Sequence, residues 1–123
     1  MNKKSKKIKV PKIKKGMIFM ADLNPTIGSE QQGIRPVVVI QSNMGNNNSS
    51  TVIVAPLSTK IEKDKYPFHV YAPKNKCHIE TDSYILLEQV RTIDKKRLIR
   101  HMGICSEEIM NEITKAIKVC LEI

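Results

Sequence analysis

The chain has 123 residues, of which 41% are hydrophobic, with three cysteines and a formal net charge of +9. That length predicts one domain with an ordinary core, and the widely spaced cysteines, with no CxxC pair, argue against a disulfide scaffold or zinc ribbon and for reduced thiols in a cytoplasmic setting. No apolar run approaches the roughly 18 residues of a membrane span and none follows the basic N-terminus as a signal peptide requires, so no membrane partner is expected.

Residues 1–15 hold eight lysines and no acid, which leaves a net +1 on the other 108 residues. This lysine-rich N-terminal tail, residues 1–15, is read as separate from the domain, residues 16–123. Such tails attract polyanions without reading their sequence. Pro11 rules out a continuous helix there, although Ile8, Val10 and Ile13 suit part of a first strand. From Gly16 the pattern becomes short strands between turn residues. Residues 17–22 predict a strand, followed by a long loop over 23–34. Residues 35–41, rich in valine, predict a buried strand. Residues 42–50 read as a loop of Asn, Gly and Ser, and 51–57 as another β-branched strand. A charged segment over 58–66 precedes a half-exposed strand at 67–71 and a polar connection over 72–81. A strand at 83–87 is expected to run on toward Thr92. Asp94 caps a short turn through Leu98 that leads into a strand at 99–104.

The last element is the clearest helix. Ser106 is a good N-cap, and Glu107 and Glu108 sit where the helix dipole favours negative charge. Ile109, Ile113, Ala116, Ile117, Cys120 and Leu121 share one face and are read as core. Cys120 is thus a small hydrophobe. Many short strands with a late helix predict a small, strongly bent antiparallel sheet or barrel.

One loop stands out for chemistry. Gly28-Ser29-Glu30-Gln31-Gln32-Gly33-Ile34-Arg35-Pro36 runs straight into Val37-Val38-Val39-Ile40. Gly33 permits backbone angles that other residues avoid, and Pro36 pushes Arg35 toward an extended conformation. A guanidinium held at a loop–strand junction suits phosphate. If the strands at 35–41 and 51–57 pair antiparallel, Arg35 comes near Ser58 and Thr59. A cation, the Glu30 carboxylate and hydroxyls, without a metal or cofactor, suit attack of an RNA 2′-hydroxyl on its own phosphate. Five aromatics and no Trp exclude broad base stacking. Tyr66 and Phe68 remain able to stack a base or two, and recognition otherwise falls to hydrogen bonds from loop residues such as Gln31, Gln32 and Lys60. Adjacent Cys77 and His78 lack a second pair at zinc-ligand spacing. His69, His78 and His101 stand singly in unrelated segments and read as surface or packing residues.

Several stretches together resemble the MazF/PemK family of toxin endoribonucleases, or mRNA interferases. They are Gly16-Met17-Ile18, Ala21-Asp22-Leu23-Asn24-Pro25, Gly28-Ser29-Glu30-Gln31 and Gly33 to Ile40, with Pro56-Leu57-Ser58-Thr59, Tyr66-Pro67-Phe68 and Leu86-Leu87-Glu88-Gln89-Val90-Arg91-Thr92-Ile93-Asp94-Lys95. The resemblance implies a mainly β fold with helices, a small SH3-like barrel of CcdB/PemK type with a C-terminal helix. It also implies a homodimer that cuts single-stranded RNA at short motifs without a metal, leaving 2′,3′-cyclic phosphate and 5′-hydroxyl ends, and that a MazE-like antitoxin blocks. The family's catalytic arginine falls on Arg35 and its threonine on Ser58, with Thr59 as a neighbouring hydroxyl. Glu30 matches a glutamate implicated in some members, and Gln89 and Arg91 match positions near the RNA groove. Because a guanidinium rarely gives up its proton, Arg35 is assigned to the phosphorane and Glu30 to the base role. Two other classes fit less well. CcdB-like gyrase inhibitors rely on a C-terminal tryptophan, which this chain lacks. A plain nucleic-acid-binding barrel rests on the lysine tail alone.

Overall fold

The computed structural model describes residues 12–60 and 66–123. Among these, the elements run β1 (Met17–Asp22), β2 (Ile34–Val39), α1 (Asn43–Asn48), β3 (Thr51–Ser58), β4 (His69–Ala72), α2 (Lys74–Cys77), β5 (Ser83–Leu86), β6 (Arg91–Asp94), β7 (Leu98–Ile104) and α3 (Glu107–Leu121). Two 3-10 turns, Leu87–Gln89 and Lys95–Arg97, lead into β6 and β7. The architecture is mainly β, with every pairing antiparallel. β1 lies between β7 and β2, and β2 pairs onward with β3. The other side of β3 is divided. Residues 51–54 pair with β6, whereas Leu57 and Ser58 pair with β5, which in turn carries β4.

Both faces of the sheet are covered. On one, Ile18, Val38, Ala55 and Leu57 pack with Ile109, Ile113 and Ala116 of α3. On the other, Phe19, Val37, Val39, Val52, Val54, Ile93 and Leu98 form a second cluster. A strand buried on both sides carries an unbroken apolar run, so Val37-Val38-Val39 shows no alternation.

The structure corrects several expectations. Residues 42–50 are not simply a loop, because α1 forms within them. Ser42 caps it by accepting from the Gly45 N–H at 3.3 Å. Buried Asn46 donates to the Gln41 carbonyl (3.0 Å) and to Asn43 Oδ1 (3.2 Å), and accepts from Gln41 Nε2 (3.2 Å). Polar side chains turned inward replace the apolar stripe that marks most helices. The polar connection over 72–81 likewise contains α2. The strand starting at Ser83 does not continue to Thr92, because buried Leu87 begins a 3-10 turn closed by the Val90 N–H to Leu87 carbonyl bond (3.2 Å). That turn carries the chain from β5 to β6, against a different stretch of β3.

Ile13 packs against the second cluster without joining a strand, and the Lys15 N–H donates to Asn43 Oδ1 at 2.8 Å. The end of the lysine-rich segment is thus tied to the domain. Ile8 and Val10 lie outside the described residues.

α3 begins as expected, with Ser106 Oγ accepting from the Ile109 N–H at 3.3 Å. Its stripe ends early, however. Ile109, Ile113 and Ala116 are buried, Cys120 is half-buried, and Leu121 is 55% exposed. The helix packs on β4 and the Leu87–Gln89 turn, and its last turn leaves Val119 and Leu121 exposed. Removing the cap by Ser106→Ala is expected to lower stability by about 1 kcal/mol, read as a shift in the urea unfolding midpoint with an unchanged slope.

Candidate functional site

Residues 23–33 form a closed loop between β1 and β2. At its neck, the Leu23 N–H donates to the Gly33 carbonyl (3.0 Å) and the Gly33 N–H to Asn24 Oδ1 (3.0 Å). Gly33 adopts φ +83°, a region that disfavours any side chain. Two arginines from later in the chain grip the first residues of the loop. Arg91 Nη1 donates to the Leu23 carbonyl at 3.2 Å, and Arg97 Nη1 to the Asp22 (2.9 Å) and Asn24 carbonyls. At the tip, the Glu30 carboxylate folds back so that Oε1 accepts from the Ile27 N–H at 2.8 Å, while the Glu30 N–H donates to the Ile27 carbonyl at 3.1 Å. The Gln31 N–H reaches across 58 residues to Gln89 Oε1 at 3.3 Å.

Arg35 leaves this loop within β2, and its Nε–H donates to the Gln32 carbonyl at 2.6 Å, which fixes the guanidinium against the loop. Registers place the other site residues. Residues directly opposed across an antiparallel pair share a sheet face, as do every second residue along one strand. Val37 opposes Pro56, Val39 opposes Val54, and Val54 also opposes Arg91. Arg35, Pro56, Ser58 and Arg91 therefore project from the face that carries the second cluster, at its rim. The β2–β3 ladder stops at Val37 opposite Pro56; extended by two residues, its register sets Arg35 opposite Ser58.

Beside that rim lies a cavity of about 370 Å³ lined by Glu30, Gln31, Pro56, Glu88, Gln89, Val90 and Arg91. Four residues singled out in the sequence, Glu30, Gln31, Gln89 and Arg91, thus meet there. Others stand apart. Ser58 is 6% exposed at the end of β3, and its Oγ accepts from the Lys60 N–H at 3.1 Å. Thr59 and Lys60 are exposed past the strand end, and neither lines the cavity; nor does exposed Gln32. Tyr66 and Phe68 stack on one another with centroids 5.1 Å apart. Residues 61–65 lie outside the described residues.

Sequence reasoning missed Glu88 and His69. His69 Nε2 lies 2.9 Å from both carboxylate oxygens of Glu88. The imidazole is also held edge-on by Tyr66 (5.5 Å) and Phe68 (5.1 Å). His69 is therefore not an isolated packing residue. The clustering of Tyr66, Phe68 and His69 was the available signal, but Glu88 is 19 residues away.

The cysteines do not line the cavity. Cys77 and Cys105 are buried with their sulfurs 3.5 Å apart. That contact, reinforced by burial, pushes the Cys105 thiol up, and it lowers Cys77. Among the described residues, no three His, Cys, Asp or Glu side chains are grouped to hold a metal ion. No described helix is long and apolar enough to cross a membrane.

A profile of the PemK-like, MazF-like toxins of type II toxin–antitoxin systems matches residues 14–121. The fold is shared with MazF from Deinococcus radiodurans (TM-score 0.76, 20% identity, 90% of this chain and 97% of that one). It is shared equally with an endoribonuclease from a mycobacterial species in complex with its cognate antitoxin (TM-score 0.75, 20% identity, 90% and 96%). A third match is the Mycobacterium tuberculosis toxin MazF-mt6 (TM-score 0.72, 19% identity, 87% and 97%).

Proposed function

The chain belongs to the PemK-like, MazF-like toxins of type II toxin–antitoxin systems, and from that premise we propose that it is a sequence-specific endoribonuclease that cuts single-stranded RNA without a metal. In this reading the RNA 2′-oxygen attacks the adjacent phosphorus as Glu30 takes its proton. The bond to the 5′-oxygen breaks, and that oxygen acquires a proton from solvent. The products are a 2′,3′-cyclic phosphate and a 5′-hydroxyl. Arg35 donates to the phosphorane oxygens and to the departing oxygen, where charge develops. Ser58 orients the scissile phosphate: its Oγ accepts from Lys60, and its O–H is still a donor.

The observation that carries this reading is the rim itself. Arg35 and Ser58 fall on one sheet face by register, with Pro56 and Arg91 of that same face lining a cavity that Glu30 also lines. The reading also takes Gln89 and Arg91 as RNA contacts, a homodimer as the working form, a MazE-like antitoxin as the partner and the cytoplasm as the location. The test is primer extension along a long single-stranded RNA incubated with the purified protein in EDTA. Discrete stops with 5′-hydroxyl ends are expected; intact RNA, or cleavage that EDTA abolishes, overturns the proposal.

The two hydroxyls separate cleanly. Ser58→Ala removes a donor to a charged group and is expected to slow cleavage about 10–100-fold. Ser58→Thr keeps the hydroxyl and its activity. Thr59→Ala is expected to change the rate by less than about 3-fold, as a surface substitution away from such features. Initial cleavage rates on one short RNA check all three.

A further inference from the structure

Glu88 is hard to reconcile with a phosphate-binding groove. A carboxylate only accepts hydrogen bonds, and the RNA backbone repels it. Yet this carboxylate lines the cavity and is held with care. His69 Nε2 sits 2.9 Å from each oxygen, a symmetric approach that sets the plane of the carboxylate. The His69 side chain is only 8% exposed, and the stacked pair of Tyr66 and Phe68 meets its ring at 71° and 86°. Each Glu88 oxygen has a further lone pair, directed away from the imidazole. Gln31 belongs to the same cavity lining, and its Oε1 is turned away into the protein, buried with no hydrogen-bond partner among the described residues, which leaves Glu88 as the acceptor that a ligand can reach.

A carboxylate held on a cavity calls for a ligand edge with a donor. In RNA the donors are the exocyclic amines and ring N–H groups of the bases and the 2′-hydroxyls, since phosphate has none; of these only the base donors differ from one nucleotide to the next. Carboxylates read the cytosine amine in duplexes, and unpaired bases offer their Watson–Crick edges directly. The cavity, about 370 Å³, falls within the roughly 300–1,000 Å³ of small-molecule pockets.

We infer that Glu88 is a specificity-determining residue that accepts from the amino group of one base of the RNA motif, and that His69 is the positioning residue that aims it. This rests on the endoribonuclease reading above. His69 touches no substrate; its N–H sets the carboxylate plane, so that the free lone pairs of Glu88 face the cavity. Uracil offers one ring N–H and no amino group, so it is disfavoured at that base position against bases that carry an amine.

The test maps cleavage sites on a pool of randomised single-stranded RNA for the wild type, Glu88→Gln, His69→Phe and His69→Gln, each first matched for thermal midpoint. The wild type is expected to favour an amino-bearing base at one motif position. Glu88→Gln, nearly isosteric, is expected to lower the preference there about 10-fold or more while other positions hold. His69→Phe keeps the ring and loses the donor, and relaxes the same position. His69→Gln keeps an N–H donor and restores it, which a merely structural role for His69 does not predict. A wild type that leaves the pool intact overturns the nuclease reading itself. A wild type that cuts, with Glu88→Gln giving an unchanged profile or an equal loss at every motif, overturns the Glu88 assignment alone. If His69→Phe matches the wild type, or His69→Gln fails to restore the preference, the positioning role is overturned.

Discussion

Arg35→Ala is expected to slow RNA cleavage by about 10²–10³, the usual effect of removing one fixed donor to developing charge. The effect is large because the donor is fixed before substrate arrives. Its Nε is already bonded to the Gln32 carbonyl at 2.6 Å, and β2 is clamped between β1 and β3. No reorganisation is therefore needed when negative charge grows on the phosphorane. The side chain is only half-buried and sits at a strand start, so its loss leaves the core untouched. Circular dichroism and the urea midpoint are expected to match the wild type. Arg35→Lys is expected to recover only part of the rate, because an ammonium offers a point charge in place of a planar fork. Single-turnover rates on a short RNA check both variants; an Arg35→Ala protein that cuts at the wild-type rate sinks the assignment.

The largest effect on stability is expected from Gly103→Ala, near the end of β7. A Cβ at this position would strike the Cys77 carbonyl and lie 2.6 Å from the His78 carbonyl oxygen. Neither can swing aside as a side chain would. His78 holds a left-handed conformation (φ 55°) at the end of α2, and the Ser106 N–H donates to the Lys76 carbonyl at 2.8 Å. Moving α2 away would break that bond and pull Cys77 from the core it shares with Ile18 and Ile113. A cost at the upper end of the roughly 1–3 kcal/mol of overpacking is expected. Urea unfolding measures it, and a midpoint within error of the wild type contradicts the packing described here.

The hairpin holding Arg35 and Ser58 was legible in the sequence because two β-branched runs flank it and Pro36 fixes where one begins. The pairing of Val37 with Pro56 has the register that the adjacency of Arg35 and Ser58 requires. Gly33 was legible too, since it adopts the positive φ expected of it; Gly28, also at positive φ, carried no such expectation. What escaped was whatever depends on distant polar partners. α1 is built from asparagines whose inward bonds no hydrophobic period announces. The break at Leu87 looked like a strand because its residues suit either conformation, and only the division of β3 between β5 and β6 decides between them. His69 and Glu88 meet because Leu86 opposes His69 in the β4–β5 ladder and the following turn brings Glu88 round. No local pattern encodes that meeting.

The division of β3 has a consequence for the order in which the protein becomes dangerous. Chains emerge from the ribosome N-terminus first. Glu30, Arg35 and Ser58 are all made before the midpoint of the chain, but the opposite wall of the cavity, residues 88–91, comes from the last third. Arg91 in that wall and Arg97 after it are the residues that grip the loop at Leu23 and Asp22. A half-synthesised chain thus carries Glu30, Arg35 and Ser58 without the residues that complete the cavity, which closes only when translation is nearly finished.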